Sequence, residues 1–89
     1  MERPKRPVNR LLFAPLIAFL ASHTADKVAL TFAEIEQIIG WPLSMSAQVL
    51  PSYWTSSTFR DGLPARLRAI GWRAQLQVKE RMVVFRRVH

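Results

Sequence analysis

Two histidines, six carboxylates and no cysteine are what this chain offers to covalent or metal chemistry. A nucleophilic triad needs a serine or cysteine activated by a firmly held histidine. His89 is the last residue and His23 sits near a predicted helix end, so neither is well placed for that work. His23 with Asp26 makes only a pair, short of the clustered ligands a metal site requires. Glu34 is accounted for by a helix cap, and Glu36 reads as a solvated residue of the first helical turn. Gly40, Gly62 and Gly71 are isolated, which excludes a glycine-rich phosphate loop, and there is no acidic cluster for magnesium. The expectation is a protein with no catalytic residues, no metal and no cofactor.

The residues present in excess are bases. Thirteen Lys and Arg against six Asp and Glu give a net charge of +7. From Arg60 onward the bases Arg60, Arg66, Arg68, Arg73, Lys79, Arg81, Arg86 and Arg87 face only Asp61 and Glu80. Such a field concentrates polyanions, and each phosphate neutralised releases counterions, so nucleic acid is the first partner to expect. Aromatic residues lie among the bases. Trp41 and Trp72 sit beside predicted helix stops and read as core, whereas Tyr53 and Trp54 precede a polar loop and suit either core packing or stacking on unpaired bases.

The elements that must position these residues follow from periodicity and caps. Arg3, Lys5, Arg6 and Arg10 precede an apolar run over 11–21, which imitates a signal peptide but is too short to span a bilayer and contains Pro15. The reading is a flexible basic arm over 1–9 and one domain over 10–89 in the cytoplasm. Leu12, Leu16, Phe19 and Leu20 keep helical spacing, with Pro15 near the helix start, and the helix is predicted to end near Ser22. Val28-Ala29-Leu30 reads as a short strand at a sheet edge. Thr31-Phe32-Ala33-Glu34 is a capping box opening a helix whose Phe32, Ile35, Ile38 and Ile39 share one face and whose stop is Gly40. Ser44 or Ser46 is expected to cap a further helix toward Leu50, broken at Pro51, with the latter part of 52–59 a loop.

Asp61 is expected to cap a helix over 62–70 that turns Leu63, Leu67 and Ile70 inward and stops at Gly71. Then the period changes to two. Arg73-Ala74-Gln75-Leu76-Gln77-Val78 alternates strictly and Met82-Val83-Val84-Phe85 follows, so Lys79, Glu80 and Arg81 are read as the turn of a hairpin. The fold class predicted is α+β: a small winged-helix-like domain of three to four short helices, a C-terminal two-stranded β-hairpin and one short extra strand.

The segments Leu30-Thr31-Phe32-Ala33-Glu34-Ile35-Glu36-Gln37-Ile38-Ile39-Gly40, Leu43, Ser46-Ala47, Trp54, Gly71-Trp72 and Val84-Phe85-Arg86-Arg87 resemble a family of small bacterial domains. Its pattern is LTFxEIExIIGxxLPxSAxxxxxWW, later AGW and VxFxR, and the likeness runs from about Leu12. It implies a fold and a bacterial or phage cytoplasmic setting, without a particular activity. Members often carry Asn-Asp after the tryptophan pair and His-Ser-Gln before the later helix; here Tyr53-Trp54-Thr55-Ser56 and Asp61-Gly62-Leu63 stand in those places.

In a winged-helix docking, Lys79 and Arg81 would meet phosphates from the hairpin. Ser46, Gln48 and Ser52 would face base edges, and the arm with Lys5 and Arg6 would follow the groove or backbone. Arg60, Arg66, Arg68, Arg73, Arg86 and Arg87 would add phosphate contacts. The first expectation is therefore a DNA-binding regulator without enzymatic activity, favouring duplex DNA and compatible with a homodimer on two half-sites. A protein-binding adaptor or inhibitor of phage or defence-system type is a second reading, and single-stranded DNA or RNA binding through Tyr53 and Trp54 a third. No membrane partner is expected.

Overall fold

The capping box at Thr31 forms as its residue types dictate. In the computed structural model, which describes residues 9–55 and 63–88, the Glu34 amide donates to Thr31 Oγ1 at 3.1 Å and the Thr31 amide donates to Glu34 Oε1 at 2.9 Å. Helix α3 (Phe32–Ile39) starts there and buries Phe32, Ile35 and Ile39. Gly40 ends it in the left-handed conformation at φ 71°, its amide donating to Glu36 O at 2.8 Å. A side chain at that φ is strained, which is why glycine serves as the stop.

The expected first helix is in two pieces, α1 (Asn9–Leu12) and α2 (Ala14–Ala21), with Phe13 between them. Pro15 has no amide to donate, and its ring opposes the carbonyl four residues back, so a continuous helix would be interrupted and a restart places Pro15 in the first turn of α2. Leu12, Phe13, Leu16 and Leu20 are all buried. The chain then enters strand β1 (Lys27–Thr31).

Beyond Gly40 the chain is held by side chains rather than by a long helix. Glu36 Oε2 accepts the Leu43 amide at 2.7 Å, which corrects the expectation of a merely solvated carboxylate: the half-buried Glu36 fastens the turn. Ser44 Oγ accepts the Ala47 amide at 3.2 Å and caps α4 (Met45–Val49). Pro51 separates this helix from α5 (Ser52–Thr55), and α6 (Leu63–Ala69) precedes the hairpin. The expected cap Asp61 lies outside the described residues.

Strands β2 (Trp72–Gln77) and β3 (Met82–Arg87) form the hairpin, and β1 joins on the far side of β3, giving an antiparallel sheet of order β1-β3-β2. The turn is one residue longer than expected, 78–81, because Gln77 is the last residue paired, with Met82. Its closing residue Arg81 is at φ 54°. The inner face of the sheet carries Val28, Phe85 and Ala74 in one register row and Leu30, Val83 and Leu76 in the next. Trp54 reaches that face from α5, its ring 6.0 Å from Phe85 and 6.1 Å from Phe13. The architecture is α+β and winged-helix-like, with the helices laid on one face of a small sheet.

Candidate nucleic-acid interface

Strands in register bring residues from distant parts of the chain side by side, and on an antiparallel sheet alternate residues face opposite ways. Lys27 of β1 pairs with Arg86 of β3, and Arg86 pairs with Arg73 of β2. Three bases therefore stand in one row across all three strands, about 10 Å from end to end at the usual strand spacing. All three are exposed. The next rows on this open face are Ala29, Val84 and Gln75, then Thr31, Met82 and Gln77. None of the three strands contains an Asp or Glu. Like charges set directly opposite each other destabilise a sheet, and here the repulsion is repeated across two strand pairs.

Helix α6 extends the positive surface around the β2 edge. Arg68 is exposed and lines the same cleft as Arg73. Arg66 is half-buried on the same helix. At the other end of the sheet, beyond Gln77 and so more than about 13 Å along β2 from Arg73 at the usual rise per residue, the turn exposes Lys79 and Arg81 with Glu80 between them. Because Gln77, Met82 and Thr31 end their strands at one level, only the turn projects, and the Phe32 amide donates to Arg81 O at 3.0 Å. The expected wing is thus a short tip tied to the start of α3.

Several residues expected at a binding surface have structural duties instead. Trp54 is 1% exposed and its Nε1 donates to Ala47 O at 2.8 Å, so it is a core residue and cannot stack on a base. A free indole N–H would be costly in a core, and the carbonyl of α4 supplies its acceptor. Tyr53 is half-buried, with its ring edge-on to Phe13 at 6.3 Å and to Trp54 at 5.6 Å. Trp72 is buried as expected; Trp41 is partly buried against the core.

Arg87 also turns inward, corrected from a phosphate contact to a packing residue. Its guanidinium lies 5.1 Å from the Trp72 ring centroid and donates through Nη2 to the His23 carbonyl, with Asp26 Oδ1 3.9 Å from Nε. The period of two decides this: Arg86 and Arg87 are adjacent, so they face opposite sides.

The base-reading residues do not form one surface. Gln48 is half-buried and its Nε2 donates to Leu43 O at 3.0 Å, which ties the side chain to its own turn and takes one of its two N–H donors. Ser46 and Ser52 are exposed but stand on separate helices, α4 and α5, each too short to lie along a groove. The helix leading into the hairpin is α6. Arg60, Lys5 and Arg6 lie outside the described residues, as do 1–8 of the expected arm; Asn9 begins α1.

Lys27 is the member of the basic row that sequence reading missed. It lies 46 residues before Arg73 and 59 before Arg86, and only the pairing register connects them. The one signal in the sequence was its place at the start of a predicted edge strand, where lysine is often used to blunt edge pairing.

Among the described residues no group of three His, Asp or Glu side chains is placed to hold a metal, and no helix is long and apolar enough to cross a membrane. No curated protein and no solved structure matches the chain. A family model does match it, over residues 13–88, which takes in every strand and all but the first helix. On that match the chain belongs to the family described as Domain of unknown function (DUF7662).

Proposed function

We propose that this protein binds duplex nucleic acid, DNA by preference, by laying the open face of its sheet along the phosphate backbone, and that it does so as a cytoplasmic regulator rather than as an enzyme. The observation that carries the reading is the row Lys27, Arg86 and Arg73, set across three strands that hold no carboxylate. Cross-strand repulsion of this kind lowers the stability of the free protein, and a polyanion removes it. Arg68 continues the surface on one side, and Lys79 and Arg81 add a second group at the hairpin turn.

The chemistry favours backbone contact over base stacking. The open face offers Lys27, Arg73 and Arg86, then Ala29, Thr31, Gln75, Gln77, Met82 and Val84, and no aromatic ring. Single-strand binders combine a basic groove with aromatic platforms, and Trp54 and Trp72 are both buried. Contacts of this kind fix position on a duplex while carrying little sequence information.

The test is fluorescence anisotropy of the full chain on duplex and single-stranded oligonucleotides of equal length across a salt series, for the wild type and for K27S/R73S/R86S. Duplex binding should dominate. The slope of log affinity against log salt should fall by about 2.7 in the triple variant, about 0.9 for each phosphate that is no longer neutralised. Absence of binding at low salt, or a triple variant that binds like the wild type, would remove the reading. The small apolar row formed by Ala29 and Val84 beside the bases also suits an acidic protein surface. A stable protein complex insensitive to added DNA would favour that adaptor reading.

A further inference from the structure

Three of the six exposed large apolar side chains among the described residues lie together on α4 and its cap: Met45 is 71% exposed, Val49 45% and Leu50 49%. Helix α4 buries Ala47 completely. At 100° per residue, Met45 and Val49 stand four apart on the side opposite Ala47, and Leu50 follows in extended backbone. Ser46 and Ser52 border the patch as exposed neutral residues. The whole segment 37–59 lacks a charged residue, in a chain of net charge +7. A surface helix without charge and with its apolar side chains outward is the opposite of what solubility alone selects.

We infer that this face is the contact between two copies of the chain, with Met45 and Val49 of each copy packed on the same residues of the other about a twofold axis. Charge selects the occupant. Two molecules of +7 repel wherever bases would oppose bases, and a helix that carries no charged side chain of its own is where they can meet at least cost. An acidic partner would be drawn instead to the row of Lys27, Arg86 and Arg73. A twofold contact must be self-complementary, and a flexible methionine beside a valine adapts to its own copy.

Depletion of charge with an apolar centre and a neutral polar border is also the composition of an interface core. Helix α4 belongs to the helical layer, joined through Ala47 to Trp54 and so to Phe85 on the inner face of the sheet. Pairing there leaves the basic row of each copy open. The patch is small beside the area of a standard interface, so the contact belongs to the weak, transient class of association.

The inference stands independently of nucleic-acid binding, and the two respond to salt with opposite signs. Sedimentation velocity of the full chain, without nucleic acid, is run over a protein concentration series at about 0.05 M and 0.5 M salt. The weight-average mass should rise from monomer toward dimer, further at high salt, because screening reduces repulsion while apolar burial persists. Phosphate binding weakens over the same range. Met45→Glu should weaken association by about tenfold or more, and Val49→Ser should shift it less in the same direction. Both residues are exposed, so far-UV circular dichroism should be unchanged. A monomer at every concentration up to about 1 mM in high salt would overturn the inference. So would association that both variants leave intact, or association that salt weakens.

Discussion

Arg86 and Arg87 are neighbours on β3 with the same side chain, yet they serve opposite faces of the sheet. Arg87 lies over the Trp72 ring and donates to the His23 carbonyl, so its charge is held by the fold. Arg86 stands exposed between Lys27 and Arg73, where its charge is opposed by like charge on both sides. The inner face is thus built to lower the free energy of the folded chain. The outer face sets like charges opposite one another, and a face so arranged is the one to test for function. Identity of residue type says little here; the side of the pleat decides.

The largest effect is expected at Trp54. Its removal takes away the ring between Phe13 and Phe85 and leaves the Ala47 carbonyl without its donor. Trp54→Ala should cost about 3–5 kcal/mol, much of the stability of so small a domain. Urea unfolding measures this, and a drop below about 1 kcal/mol would mean that the ring is not central to the core.

Next comes the arginine pair. Arg87→Ala should destabilise by about 1–2 kcal/mol through removal of the ring contact and the carbonyl hydrogen bond, and should leave the salt slope of oligonucleotide binding unchanged. Asp26 adds little to that figure, since its side chain is 84% exposed and 3.9 Å away. Arg86→Ala should do the reverse: stability equal to or slightly above wild type, and a salt slope smaller by about 0.9. Thermal unfolding and anisotropy on the same two variants decide the matter, and equal effects of both would dissolve the distinction between the faces.

A smaller change is expected at Thr31, where the sheet meets α3. Thr31 pairs with Met82 on the outer face and also caps α3. Thr31→Ala should cost about 1 kcal/mol, and Thr31→Ser should recover most of it. Both values come from urea midpoints, and neither variant should alter the salt slope.

Local rules made much of the fold legible. The Thr31 and Glu34 capping box, the Gly40 and Gly71 stops, the alternation from Arg73 to Leu76 and the helical spacing of Leu12, Leu16 and Leu20 each depend on residues a few positions apart. The candidate site was legible only in its ingredients. Arg73 and Arg86 were recognisable as surface bases, but Lys27 joined them only through a register, and the two residues marked for base stacking were claimed by the core. Glu36 and Gln48 had the same fate, since the turn after Gly40 needed side-chain partners for its backbone groups.

Element types, their order, the absence of thiols and a net charge of +7 can all be read along the chain. Those properties follow from composition and short-range periodicity, which are written along the chain. Tertiary structure decided which bases stand together and which are held inside, and it left α4 with an uncharged apolar face. Strand register and helix packing set both outcomes, because they depend on contacts between residues many positions apart that no local rule can see.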